Sequence, residues 1–102
     1  MFEDFIAERI TQLRQIKRKS ARDMSLSIGQ NTNYINQIEN HKMLPSMQVF
    51  FYICEYLGIT PQEFFDSENI QPELLKDLFS DLKKLDEKTL THISEIVKKL
   101  IN

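Results

Sequence analysis

The segment from Ser20 to Ile38 constrains the fold of this chain more than any other. Its pattern predicts a helix, a tight turn and a second helix. The first helix is indicated by Met24 and Ile28, which lie one helical turn apart and share a face. Gly29 follows directly, and glycine adopts a positive φ without steric cost where a chain must reverse. The hydroxyl of Ser20 can cap the first helix by accepting a backbone N–H group. The segment therefore predicts two short helices that meet at an angle.

The second helix of this segment has one apolar edge and one polar edge. Tyr34, Ile35 and Ile38 form the apolar edge, and Asn31 is predicted to cap the helix. The polar edge carries short amides and hydroxyls, and such groups hydrogen-bond base edges in the major groove of DNA. These candidate base-reading residues are Asn31, Thr32, Asn33, Asn36 and Gln37.

Several further stretches extend this segment into a larger pattern. In their order and spacing they resemble the helices of phage-repressor-like helix-turn-helix regulators, the Xre/Cro type. The stretches are IAERITQLR (residues 6–14), YINQIEN (34–40), Pro45-Ser46 and LGITPQEFF (57–65). The resemblance implies an all-α fold, with a five-helix domain over residues 1–66. It also implies sequence-specific binding to double-stranded DNA. Because such readers pair two half-sites through protein symmetry, we predict a homodimer on a palindromic operator, acting as a repressor rather than as an activator, a choice that the sequence itself leaves open.

The resemblance also implies roles for charged and polar residues around the reading helix. Arg14 matches a family position at which an arginine pairs with a glutamate, and Glu39 matches that glutamate. The planar guanidinium of arginine can bind a carboxylate through two hydrogen bonds. This ion pair would hold the reading helix on the first helix. The candidate phosphate-contacting residues, which lie before the motif, at its start or in its exit loop, are Lys17, Lys19, Ser20, Arg22, Asn40 and Lys42.

Composition limits the classes of protein that fit this chain. A length of 102 residues suits one domain of ordinary size. The net charge is −2, whereas a DNA-binding protein is expected to be basic, but the basic residues are concentrated beside the motif. No apolar run approaches the ~20 residues that a membrane span needs, and the N-terminus lacks a signal pattern. Together with a single cysteine, Cys54, these features predict a cytoplasmic protein.

Catalysis and metal binding are not expected from this sequence. It has no glycine-rich phosphate loop and no cysteine–histidine spacing typical of a zinc site. His41, His92 and Cys54 offer no assembled catalytic triad. We therefore predict that the protein is not an enzyme, and we identify no cofactor, metal or small-molecule ligand.

A fourth helix is predicted to begin after Ser46, which caps it, and to end at Leu57. Apolar residues recur at helical spacing along it. The predicted core residues of this helix are Met47, Phe50, Ile53, Cys54 and Leu57. Further aromatic residues surround the helix, so it is expected to be buried or to form an interface.

Residues 67–102 are predicted to form a C-terminal helical hairpin. Leucines recur at helical spacing over residues 74–85, and aliphatic residues repeat that pattern over 90–101, after a predicted cap at Asp86. Two helices alone bury too little apolar surface to offset the entropy lost on ordering them. The hairpin is therefore expected to pair two copies as a homodimer. The alternative is that it caps the aromatic side chains of the fourth helix within one chain.

Four apolar or small residues depart from the pattern of the family. Ala21 replaces a glutamine that often meets a phosphate, and Leu26 replaces a polar surface residue. Met43 and Leu44 stand in the exit loop, where basic or polar residues are usual. These changes leave a second interpretation open, in which the chain keeps the fold but serves as a protein-interaction module that binds DNA weakly or not at all. The sequence pI of about 5.7 also favours it.

Overall fold

The computed structural model describes residues 2–68 and 70–102, and every regular element in these ranges is a helix. The seven helices are α1 (Phe2–Ile16), α2 (Ala21–Ser27), α3 (Tyr34–Glu39), α4 (Met47–Leu57), α5 (Pro61–Phe65), α6 (Pro72–Leu82) and α7 (Glu87–Ile101). This arrangement confirms the predicted all-α fold. In the described part of the chain, no helix is long and apolar enough to cross a membrane.

Helix starts follow the capping residues of the sequence. The hydroxyls of Ser20 and Ser46 accept hydrogen bonds from backbone N–H groups in the first turns of α2 and α4. Thr60 and Glu63 form a capping box at α5, in which each side chain bonds the backbone of the other. Asp86 caps α7 in the same way as the serines. The predicted starts of these four helices are confirmed.

The core lies between the first five helices. Helix α1 contributes Ile10, the motif contributes Met24 and Ile35, and the later helices contribute Ile53 and Phe64, all of which are fully buried. Within α1, α3 and α4 the buried residues recur at the i, i+3, i+4 spacing of an amphipathic helix. The core therefore fixes α2 and α3 against α1 and leaves their outer edges at the surface.

Arg9 performs a structural role that the sequence pattern did not reveal. Its guanidinium is buried and donates hydrogen bonds to the carbonyl oxygens of Phe64 at 2.6 Å, Glu63 at 2.8 Å and Asp66 at 2.9 Å. Carbonyl groups at the end of a helix lack intrahelical partners, and a cation there is favourable. Burial lowers the pKa of Arg9. The side chain thus joins the end of α5 to α1.

Two expectations about helix positions were wrong. Met47, predicted to face the core, is 68% exposed, because the core ends one turn later at Phe50, whose ring contacts the ring of Phe64. Asn31 does not cap α3, because the chain makes a further turn and the helix begins after Asn33. The Asn31 side chain instead accepts a hydrogen bond from the backbone N–H of Asn33 at 3.0 Å.

Helices α6 and α7, here called the C-terminal helix pair, extend away from the core. The radius of gyration is 16.8 Å, against about 13 Å for a compact domain of this length. Pro72 is buried, and Lys17 Nζ of α1 lies 3.2 Å from Glu73 Oε2. Gly58, whose φ is 72°, leaves room for the Glu73 side chain, because a Cβ there would lie 3.2 Å from Glu73 Cδ. The first turn of α6 therefore attaches the pair to the core, whereas α7 has no buried residue.

Candidate nucleic-acid interface

A buried serine holds α2 and α3 together. Ser25 is fully buried, donates a hydrogen bond to the carbonyl oxygen of Ala21 at 2.7 Å, and accepts one from the backbone N–H of Ile35 at 3.0 Å. The first N–H groups of a helix have no partner within it, so the serine oxygen takes the place of a cap for α3. Gly29, with φ of 78°, makes the turn between the helices. A polar residue inside an otherwise core-facing stretch was the available sequence signal for this contact.

The predicted pair of Arg14 and Glu39 is brought together in the structure. Arg14 Nε lies 2.7 Å from Glu39 Oε2, and Arg14 Nη2 lies 2.9 Å from Glu39 Oε1. The hydrogen bond to Glu39 raises the pKa of Arg14. Arg14 Nη1 also donates to the carbonyl oxygen of Lys19 at 2.8 Å. The guanidinium therefore joins α1, the start of the motif and the end of α3.

The outer face of α3 presents a row of amides. Asn33, which precedes the first residue of α3, and Asn36 and Gln37 within α3 are exposed, whereas Ile35 is fully buried. Asn33 and Gln37 lie one turn apart, and their side chains make no hydrogen bond to any residue in the described ranges. Asn36 Oδ1 accepts a hydrogen bond from Asn40 Nδ2 at 3.0 Å. Asn33 and Gln37 are therefore the two amides whose full bonding capacity is available to a ligand.

The other two candidate base readers lie in the turn before α3. The amide oxygen of Asn31 bonds the backbone of Asn33, so one side of that amide serves the turn itself. Thr32 is half-buried. Both residues lie just before the start of α3. In helix-turn-helix proteins this end of the second helix leads into the major groove of DNA.

The candidate phosphate-contacting residues fall into two groups. Lys19, Arg22 and Lys42 are exposed, and none of them forms a salt bridge within residues 2–68 and 70–102. Ser20 Oγ accepts a hydrogen bond from Asp23 N, and Asn40 Nδ2 donates to the carbonyl oxygen of Asn36. Lys17 is paired with Glu73. The first group therefore has its cationic groups free, whereas Ser20, Asn40 and Lys17 already have partners.

The loop that leaves α3 is held by a contact that the sequence analysis missed. His41 adopts a left-handed backbone with φ of 63°. Its Nδ1 lies 2.7 Å from Asp4 Oδ1 in the first turn of α1. The contact joins this loop to α1, and both side chains remain largely exposed, at 43% for His41 and 61% for Asp4. Lys42 follows directly, so its backbone position is set by the same turn.

Helix α3 is short, presents unbonded amides and is held on α1 and α2, and basic side chains lie on either side of it in the chain. These features define a helix-turn-helix DNA-binding domain. A family model described as helix-turn-helix domain matches residues 7–70, and the chain belongs to this family. A search of curated proteins and a search of solved structures each found no match to the chain. Membership of the family indicates DNA binding by a helix-turn-helix regulator.

Proposed function

We propose that the protein is a sequence-specific regulator of the Xre/Cro type, which binds double-stranded DNA as a homodimer and represses transcription from a palindromic operator. The observation that carries this proposal is the pair of unbonded amides of Asn33 and Gln37 on a helix fixed by Arg14, Glu39 and Ser25. A reading helix must be fixed in this way, because direct readout depends on hydrogen-bond geometry. The cytoplasmic location stays a prediction.

Base readout follows from the chemistry of the exposed side chains. Asn33 and Gln37 can each bond N6 and N7 of adenine, and the Thr32 methyl suits the methyl group of thymine. Lys19 and Lys42 would bind phosphates, which position the protein without reading sequence. Their placement on either side of α3 in the chain supports two backbone contacts around one groove.

The dimer is proposed because of the exposed C-terminal helix pair. Leu74, Phe79, Ile96 and Leu100 are among its large apolar side chains that remain mostly exposed in the single chain. Exposed apolar surface of this extent is typical of an interface. A symmetric dimer also matches the two half-sites that such domains read.

Replacement of both reading amides tests the proposal. Asn33→Ala/Gln37→Ala is expected to weaken binding to a selected duplex by ~1–3 kcal/mol per residue and to leave binding to a scrambled duplex unchanged. The matched control is Gln71→Ala, which removes an exposed amide at the start of α6. Equal losses on both duplexes would contradict base reading by α3.

A protein-interaction module is the second candidate. Leu26 and Leu44, which interrupt surfaces that are polar in the family, are 51% and 46% exposed, and this exposure favours a protein partner. This candidate predicts a dissociation constant of ~10⁻⁴–10⁻⁶ M on every duplex. Catalysis, cofactors and metals have no part in either candidate, and their absence stays a prediction.

A further inference from the structure

A second exposed apolar surface lies on the core domain, outside the reading helix. Its members come from α1, the loop before α4, α4 itself and α5, and they are 46% to 78% exposed. We call it the aromatic patch and define it as Phe2, Leu44, Met47, Phe51 and Phe65. Three members of the patch, Leu44, Met47 and Phe65, line a cleft of about 210 Å³. None of the candidate base-reading or phosphate-contacting residues lines this cleft.

Acidic side chains outnumber basic ones on the helices around the aromatic patch, and the basic residue beside Phe65, Arg9, is buried at the end of α5. Helices α4 and α5 contain no lysine or arginine, and neither do residues 2–8 of α1. Glu55 continues the row of Met47 and Phe51, since the three lie at i, i+4 and i+8 on α4. Gln62 and Asp66 lie beside Phe65. A partner that covers the patch must therefore bring bulky apolar groups together with positive charge.

The last two turns of α7 have this chemistry. Leu90 near the start of α7 is 40% exposed, whereas Leu100 and Ile101 at its end are 80% and 76% exposed. Lys98 and Lys99 lie in the same turn. The end of α7 therefore combines two lysines, preceded by Glu95, with apolar side chains that are mostly exposed in the described part of the chain.

We propose that the end of α7 in one copy docks on the aromatic patch of a second copy, and that the second copy returns the same contact. An amphipathic helix in a hydrophobic groove is an established mode of recognition, and the charges on the two surfaces are opposite. A reciprocal exchange closes the dimer and covers both surfaces at once. This inference rests on the homodimer proposed above and assigns its interface.

Charge reversal on each surface tests the inference. One variant, Lys98→Glu/Lys99→Glu, makes the end of α7 acidic, and the other, Glu55→Lys/Gln62→Lys, makes the border of the patch basic. In a homodimer of either variant, like charges face each other at both contacts. The dissociation constant of that homodimer is therefore expected to rise about tenfold or more. In an equimolar mixture both contacts join opposite charges, and a heterodimer is expected to form. The measurement is sedimentation of the full chain, with circular dichroism to verify helix content.

A change in charge elsewhere on the C-terminal helix pair serves as the control. Lys76→Glu/Lys88→Glu makes the same change in charge elsewhere on the C-terminal helix pair and should dimerise like the unmodified protein. A Glu55→Lys/Gln62→Lys variant that dimerises normally, or a mixture that stays monomeric, would overturn the assigned interface and leave the homodimer intact. An unmodified protein that is monomeric at all concentrations and on DNA would overturn the homodimer itself.

Discussion

Arg14 and Glu39 lie 25 residues apart in sequence and form a two-pronged hydrogen-bonded pair. Their side chains are only 16% and 11% exposed, so the pair is partly shielded from water. Shielding strengthens the attraction and also makes a lone partner costly. The position of α3 on α1 therefore depends on the forked shape of the guanidinium as well as on its charge.

Arg14→Lys keeps the charge and removes the fork. We expect the free energy of unfolding to fall by ~1–3 kcal/mol, because Glu39 loses one of two charge-assisted hydrogen bonds. Urea denaturation followed by circular dichroism measures this change. Arg22→Lys is the matched control, since Arg22 is exposed and has no ion pair in the described ranges. Similar losses in the two variants would show that the fork is unimportant.

Ser25→Ala removes the oxygen that serves the start of α3. The backbone N–H of Ile35 would then be buried without a partner, which is expected to cost ~1–3 kcal/mol of stability. Ser27→Ala, at the exposed end of α2, should change stability far less. Amide hydrogen exchange gives a second readout, because the Ile35 amide should exchange faster only in the Ser25 variant. Unchanged exchange would contradict the role given to Ser25.

Lys42→Ala removes a proposed phosphate contact. Binding to all duplexes is expected to weaken alike, and the slope of log K against log salt should become shallower by about one unit. Fluorescence anisotropy at several salt concentrations measures the slope. Lys76→Ala in α6 is the control, since it removes an exposed lysine outside the motif. A slope equal to that of the unmodified protein would exclude Lys42 as a contact.

Glu73→Gln releases Lys17 from its ion pair. If Lys17 can then bind phosphate, affinity for a random duplex should increase at low salt. The expected gain is at most about fivefold, because exposed ion pairs contribute ~0.2–1 kcal/mol. Glu87→Gln removes an exposed carboxylate of α7 and serves as the control. No gain with Glu73→Gln would place Lys17 outside the DNA-binding surface.

Tyr56 makes stability depend on alkaline pH. Its hydroxyl donates to Asp23 Oδ2 at 3.0 Å, and burial, followed by that bond, raises the pKa of Tyr56 from 10.0 to about 12. Between pH 10 and 12 the unfolded chain therefore loses a proton that the folded chain keeps, so stability falls as pH rises.

Tyr56→Phe is expected to reduce this loss, because phenylalanine has no proton to release. Denaturation at several pH values between 10 and 12 would show a shallower decline for the variant. Cys54, whose pKa burial raises to about 11, contributes in both proteins and cancels in the comparison. Parallel declines would contradict the role assigned to Tyr56.

Local sequence signals predicted most of the fold. Caps such as Ser46 and Asp86 act within one turn of their own helix, so they can be identified without knowledge of the rest of the chain. The pair of Arg14 and Glu39 came instead from the resemblance to a family. Its partners are distant in sequence, and no periodicity links them.

Contacts between distant elements account for what the sequence analysis missed. In the sequence, Arg9 looks like any exposed residue of α1, because its burial depends on where α5 ends. Met47 fits the core spacing of α4, but spacing cannot show where the neighbouring helices stop. The contact of Lys17 with Glu73 likewise depends on how α6 attaches to the core.

The central claim is that α3 reads DNA sequence within a symmetric dimer. Selection of bound duplexes from a random-sequence pool at near-physiological salt tests it most directly. We predict enrichment of a palindrome whose half-site centres lie about 10–11 base pairs apart. A pool that shows no enriched sequence after repeated selection would contradict the claim and favour the protein-interaction module.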